Sequence, residues 1–223
     1  MKRHGRLYTA LRRTFSPLHR CRPFHRELSR VMDRNPPGRV VLNLGSGPFR
    51  LRRCRHAVNL DFQPFPEVDV VADVLALPLR DGCADLVLNL DLLEHVPDPR
   101  RLMRETFRVL RPGGETLAFI PFLYPVHLAP ADYRRFTPQG LEALYGEFSS
   151  CRVGVASGPM CATLLALRDL AATAGSLGWR PMYDLLFVLF SVAAAPFKVL
   201  DEALVRLPTA GHAAGAFFVS AVK

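Results

Sequence analysis

The run Val40-Val41-Leu42-Asn43-Leu44-Gly45-Ser46-Gly47 is an apolar segment, broken only by Asn43, that ends in a glycine turn. Apolarity that is continuous rather than alternating marks a strand buried on both faces, as in a parallel sheet. A glycine turn at the end of such a strand lets the backbone approach a nucleotide at the carboxyl edge of a doubly wound sheet. Read alone, the same turn also fits a tight corner without a ligand.

Similar short apolar runs extend outward from it at residues 55–60, 68–72, 85–90 and 116–121, and two more strands are predicted at 151–156 and 216–222. An amphipathic helix is predicted over residues 99–110. There Leu102, Met103, Phe107 and Leu110 share one face, Arg100, Arg101, Arg104 and Arg108 the other, and Pro112-Gly113-Gly114 ends it. A second helix is signalled by Thr137 as N-cap with Pro138 in its first turn. The segments joining the first three strands are about ten residues or fewer, too short for the crossover helix that parallel neighbours normally use. The face left bare must be covered by the N-terminal segment or by the long detour at 158–215.

Acids stand at the tips of the next two strands. Asp61 closes Asn59-Leu60-Asp61, where a carboxylate can accept two ribose hydroxyls, and Asp73 follows Val70-Val71-Ala72. With these in place the chain resembles the class I S-adenosylmethionine-dependent methyltransferases, in particular the small-molecule group called methyltransferase type 11. The resemblance rests on Leu42-Asn43-Leu44-Gly45-Ser46-Gly47, Asn59-Leu60-Asp61, Ala72-Asp73-Val74-Leu75-Ala76-Leu77-Pro78, Asp91-Leu92-Leu93-Glu94-His95-Val96 and Arg108-Val109-Leu110-Arg111-Pro112-Gly113-Gly114, in that order, over residues 38–157.

That resemblance implies an α/β, doubly wound Rossmann-like sheet of seven strands. The last strand, at 216–222, would lie antiparallel beside the fifth, after an apolar helical insertion. It implies S-adenosyl-L-methionine as cofactor. Gly45 and Gly47 would sit under its amino-acid part, with Asn43 and Ser46 beside them. Asp61 would hold the ribose, Asp73 and Val74 would flank the adenine, and Asn89, Leu90 and Leu92 would line the floor. Two departures from that pattern stand out: Arg50 stands where many members carry a third glycine, and the helix normally following the glycine turn must shorten to a turn or so. A short-chain dehydrogenase would need Tyr-x-x-x-Lys, which the sequence lacks, and Asn89-Leu90-Asp91-Leu92 is not the Asn/Asp-Pro-Pro-Tyr/Phe of base-modifying amino methyltransferases. Nucleic acid is therefore not expected as a partner.

The acceptor is expected at the loop after the fifth strand, residues 121–137, on the same edge of the sheet. His127 and Asp132 are its candidate bases, because each can carry the right charge near neutral pH. Asp132 could equally pair with Arg134 or Arg135. His95 is expected to position rather than to catalyse. A small metabolite, glycan or lipid-linked acceptor fits this reading. A catalytically silent, membrane-associated domain of the same fold is the alternative.

The 223 residues suit one α/β domain with additions, divided here as an arm (1–37), a core (38–157), an insertion (158–215) and a final strand (216–223). The net charge of +9 is concentrated in residues 1–34, which hold ten Lys/Arg against Glu27 and Asp33. Residues 185–197 form an uncharged run of thirteen, short of the roughly twenty needed to span a bilayer. An anionic membrane surface is thus a candidate partner, with a helical cap over the sheet or a dimer interface as the other readings of the insertion. Five widely spaced cysteines without a C-x-x-C pair suggest neither a disulfide framework nor a zinc site. No metal is expected. The N-terminus lacks an apolar signal-peptide core, and the expected location is cytoplasmic with peripheral contact at the inner membrane face.

Overall fold

The computed structural model describes residues 18–52, 54–127 and 130–223. The first half of the basic arm, residues 1–17, lies outside the described residues. Seven strands form one sheet: β1 (Val41–Leu44), β2 (Val58–Asp61), β3 (Val70–Val71), β4 (Ala84–Leu90), β5 (Leu110–Pro121), β6 (Ser150–Ser157) and β7 (Ala216–Val222). Their order is β3-β2-β1-β4-β5-β7-β6. The first five run parallel, and β7 pairs antiparallel with β5 from Glu115 opposite Val222 to Pro121 opposite Ala216. The chain leaves β1 toward β2 on one side and β4 lies on the other. The sheet order therefore reverses at β1 and opens a crevice at the carboxyl ends of β1 and β4, where doubly wound sheets bind ligands. Every residue of β1 is buried, Asn43 included.

The chain divides into two compact units, 23–122 with 126–154 and 216–223, and 18–22 with 123–125 and 155–215. In the first, α1 (Arg22–Arg34) supplies cover for the sheet. Phe24 is fully buried, with its ring edge-on to Phe119 of β5 at 5.2 Å. Further along α1, Arg30 donates to Glu115 of β5, and Glu27 pairs with Arg30 and Arg152. Among the described residues no helix joins β1 to β2 or β2 to β3.

Between β4 and β5 runs α2 (Pro99–Val109), capped by Asp98, which accepts from the Arg101 N–H at 3.0 Å. Two details differ from the sequence pattern. Arg108 does not lie on a solvated face: it donates to the Leu77 and Leu79 carbonyls and pairs with Glu105 and Asp81, tying the β3–β4 loop to the helix. Pro112-Gly113-Gly114 does not follow a helix end at Leu110, because β5 already begins at Leu110. Gly113, at φ +74°, lies where the register with β4 shifts. The helix α3 (Pro138–Leu144) starts as expected, with Thr137 Oγ1 accepting from the Gly140 N–H at 3.2 Å.

The second unit is built on a helical hairpin of α4 (Pro159–Ser176) and α5 (Arg180–Ala194). Leu177 at φ +47° and Gly178 at φ +84° make the turn. Gly175 permits close approach, since a Cβ there would lie 2.6 Å from Leu186 Cδ1. Arg168, which interrupts the apolar pattern, stacks over Phe187 at 3.9 Å and donates to Asp169. From α5 the chain continues helically through Ala195–Leu200 and Asp201–Leu204.

Candidate active site

The glycine turn after β1 is latched to β2. The Ser46 N–H donates to the Leu60 carbonyl at 3.1 Å, and the Gly47 N–H donates to Asp61 Oδ2 at 2.8 Å. Both glycines are left-handed, Gly45 at φ +64° and Gly47 at φ +59°, a region that costs any residue with a Cβ. They differ in surroundings. A Cβ on Gly45 would meet Leu92 Cδ1 at 2.5 Å, whereas one on Gly47 would meet nothing within 4 Å. Gly45 is therefore required by packing, and Gly47 borders open space.

Asp61 is 6% exposed, and its other oxygen accepts from the Gln63 N–H at 2.9 Å. A carboxylate offers about four acceptor positions, so each oxygen retains a lone pair beyond the backbone bond it already accepts. A cis diol is what two such adjacent acceptors fit, and a carboxylate poised by two N–H donors suits the ribose role. At the tip of β3, Asp73 is exposed and caps its own loop by accepting from the Leu75 N–H at 2.8 Å, next to buried Val74. Leu90 and Leu92 flank Asp91 at the end of β4, where Asp91 has a left-handed φ of +56°.

Asn43 is buried and donates to Asn59 Oδ1 at 3.0 Å, and Asn59 in turn donates to the Glu67 carbonyl. The pair cross-links β1 to β2 inside the sheet. Asn89 donates to Thr116 Oγ1 at 3.4 Å, and its own side-chain oxygen is buried with no hydrogen-bond partner among the described residues. Arg50 joins the segment after the glycine turn to the segment after β2. It donates to Glu67 at 3.1 Å and pairs with Asp69, whose second oxygen accepts from the Asn59 N–H at 2.9 Å.

At the same edge, the loop after β5 packs on the short 3-10 turn Leu93–His95 that follows β4. The Tyr133 N–H donates to the Glu94 carbonyl at 2.8 Å, Arg134 donates to the Pro97 carbonyl, and His95 Nδ1 bonds the Ala131 carbonyl. His127 and Asp132 come together here. The Asp132 carboxylate accepts from the His127 N–H at 3.0 Å and is gripped by both terminal nitrogens of Arg135. That guanidinium holds the Asp132 carboxyl down to about 2. The two ring nitrogens of His127 face carboxylates, Nδ1 toward Asp132 at 3.4 Å and Nε2 toward Glu94 at 3.5 Å. In the sequence Glu94 reads only as a single acid in the segment after the fourth strand. Only the fold brings it against His127, more than thirty residues away.

Residues 49–118 match the family model described as a methyltransferase domain. An uncharacterized methyltransferase from Mycobacterium sp. (strain KMS) is 37% identical over 110 residues, 43% of this chain and 42% of that protein. A probable S-adenosylmethionine-dependent methyltransferase from Mycolicibacterium smegmatis is 45% identical over 99 residues, 38% of each chain. The chain thus spans about two fifths of the length of these curated relatives. Among solved structures, a SAM-dependent methyltransferase from Archaeoglobus fulgidus shares the fold with a TM-score of 0.57 at 15% identity, over 97% of this chain and 99% of that one. The phosphoethanolamine N-methyltransferase 2 of Haemonchus contortus, solved with S-adenosylhomocysteine, gives 0.55 at 16% identity, over 89% of this chain and 53% of that one.

Proposed function

We propose, from the premise that the chain carries a class I methyltransferase domain, that it is an enzyme transferring the methyl group of S-adenosylmethionine to a small metabolite, glycan or lipid-linked acceptor at a membrane surface. The observation that carries the catalytic half is the latch of the Gly45–Gly47 turn to Asp61, which presents a poised carboxylate beside open backbone at the switch point of the sheet. Gly47, Asp61, Asp73 and Val74 would hold the cofactor, and its sulfonium would supply a methyl carbon already activated by charge. What remains for the protein is to bind, align and exclude water. The test is calorimetric titration with S-adenosylmethionine and S-adenosylhomocysteine. Asp61→Asn removes one charged acceptor, worth about 1.5–3 kcal/mol, so affinity should fall roughly ten- to a hundredfold with the fold retained. Absence of heat from the unaltered chain would favour a catalytically silent domain.

The membrane half rests on the hairpin. Among the described residues one helix, Arg180–Leu204, is long and apolar enough to cross a membrane, and 11% of its most apolar window is buried. Its far end is bolted to protein. Asp201 is fully buried and accepts from the Met160 and Cys161 N–H groups at 2.8 and 2.9 Å, and Glu202 pairs with His19 and Arg22. Such an anchored end favours lying in the interface over spanning. The hairpin turn carries Leu177 at 94% and Trp179 at 61% exposure, with Leu170, Leu185 and Leu189 exposed behind it. Arg180 at the turn and the +8 N-terminal segment complement anionic headgroups. Trp179 is the only tryptophan of the chain, so its fluorescence reports this contact directly. Anionic vesicles should shift its emission to the blue and carry the protein upward in flotation. An unshifted spectrum with protein left in the soluble fraction would eliminate membrane docking.

A further inference from the structure

We infer that Glu94, His95 and His127 form a binding site for one divalent transition-metal ion of the zinc class. One ligand atom from each residue lies within 4.8 Å of the others. Glu94 Oε1 is 3.6 Å from His95 Nε2 and 3.5 Å from His127 Nε2. Ligands about 2.0–2.1 Å from a tetrahedral zinc ion stand about 3.4 Å from each other, so these separations are those of ligands around a shared centre.

The hydrogen bonding explains why an ion belongs there. Glu94 is completely buried, and among the described residues neither of its carboxylate oxygens has a hydrogen-bond partner. His95 Nδ1 faces a carbonyl, Ala131 O, which can only accept, so that nitrogen carries the proton and Nε2 of the neutral ring presents a lone pair to Glu94. His127 is placed similarly, Nδ1 3.4 Å from the Asp132 carboxylate and Nε2 3.5 Å from Glu94. With the proton of each neutral ring on Nδ1, three electron-pair donors converge with no donor hydrogen among them. Such an arrangement is costly when buried unless a cation occupies it. Arg135, whose charge also acts on Glu94, gives its two terminal nitrogens to the Asp132 carboxylate.

Metal-binding histidines characteristically donate their other ring N–H to a carbonyl or carboxylate, which fixes tautomer and orientation. Ala131 and Asp132 supply one of each, and Arg135 holds Asp132 in turn. Two histidines and one carboxylate leave a coordination position open, as catalytic metal sites do. The turn bearing Glu94 and His95 begins right after Leu92, which packs on Gly45. Resting on the methyltransferase reading, the open position would take an oxygen of the acceptor, which makes a hydroxyl- or carboxylate-bearing acceptor the favoured class.

The test uses the full chain stripped with chelator and titrated calorimetrically with zinc chloride, without cofactor. The expected result is one zinc ion per chain, weakened at least tenfold in His127→Ala and in Glu94→Gln, and unchanged in His212→Ala. His127 is partly exposed, so its variant remains informative if the Glu94 variant fails to fold. Cobalt(II) should give the visible absorption of a four-coordinate centre in the parent chain and lose it in His127→Ala. No zinc uptake by the parent chain, or equal uptake by His127→Ala, overturns the site; imidazolium–carboxylate pairing would produce the first of these. Cofactor titration separates the two readings. Zinc uptake without S-adenosylmethionine binding sinks the methyltransferase reading alone, and the converse sinks the metal site alone.

Discussion

Replacing Gly45 and Gly47 in turn by alanine separates packing from binding at the glycine turn. Both residues sit at nearly the same left-handed φ, so each alanine costs about 1–2 kcal/mol of backbone strain. Only at residue 45 does the new methyl collide. It would lie 2.5 Å from Leu92 Cδ1, with Cγ and Cδ2 at 3.2 and 3.3 Å, so the whole isopropyl group must move. Leu92 is 9% exposed and has little room, and forced repacking of this kind costs about 1–3 kcal/mol. In a domain of this size each kcal/mol shifts the melting temperature by about 2–4 °C. Gly45→Ala should therefore melt roughly 2–12 °C below Gly47→Ala, and Leu92→Ala should recover part of the difference as a coupling of about 1 kcal/mol or more in a double-mutant cycle. Gly47→Ala should instead place its methyl in open space beside Asp61 and weaken S-adenosylmethionine binding, melting only the roughly 2–8 °C below the parent that its backbone strain costs. Calorimetric melting and titration measure both effects. Equal melting of the two variants with no coupling to Leu92 would refute the packing argument.

Acid stability should carry the signature of Asp132. Its folded carboxyl is held at about 2, below the unfolded value near 4, so its contribution is complete above about pH 4 and disappears as the pH falls through about 2. Asp132→Asn should flatten that limb of a melting-temperature profile and lower stability at neutral pH, and an unchanged acid limb would contradict the Arg135 grip. Thr137→Ala removes the cap of α3 and should cost about 1 kcal/mol, or about 2–4 °C, without altering cofactor affinity. Cys21, pushed up to about 12 by burial and the nearby Asp201 carboxylate, should resist alkylation at pH 8 in the folded chain and react once it is unfolded by urea.

Features governed by local chemistry were legible in the sequence. The apolar run into Gly45, the acids at 61 and 73, the cap at Thr137 and the closing strand at 216–222 each follow from a few adjacent residues. Nothing in the periodicity distinguishes Arg108 on a solvated helix face from Arg108 bonded to the Leu77 and Leu79 carbonyls, because its partners lie about thirty residues away. The same holds for Asn43, whose amide crosses to Asn59 within the sheet, and for Arg50, whose acids sit on the far side of β2. The Glu94, His95 and His127 cluster was hidden for a related reason. Cysteine spacing is a local signal of metal binding, whereas a carboxylate and two imidazoles assembled from a turn and a distant loop have no local signature.

Arg50 and its two acids carry one further consequence. Where a crossover helix would brace the strand behind the glycine turn through packing, this chain relies on ion pairs in which all three side chains are 37–46% exposed. Pairs of that kind contribute little individually and are weakened by salt, whereas packed apolar contacts are not. Raising the ionic strength should loosen the wall of the pocket well before it touches the sheet. Hydrogen exchange at 48–52 and 62–69 should then quicken in salt while β1 and β4 stay protected, making salt a selective dial on the rim of the pocket.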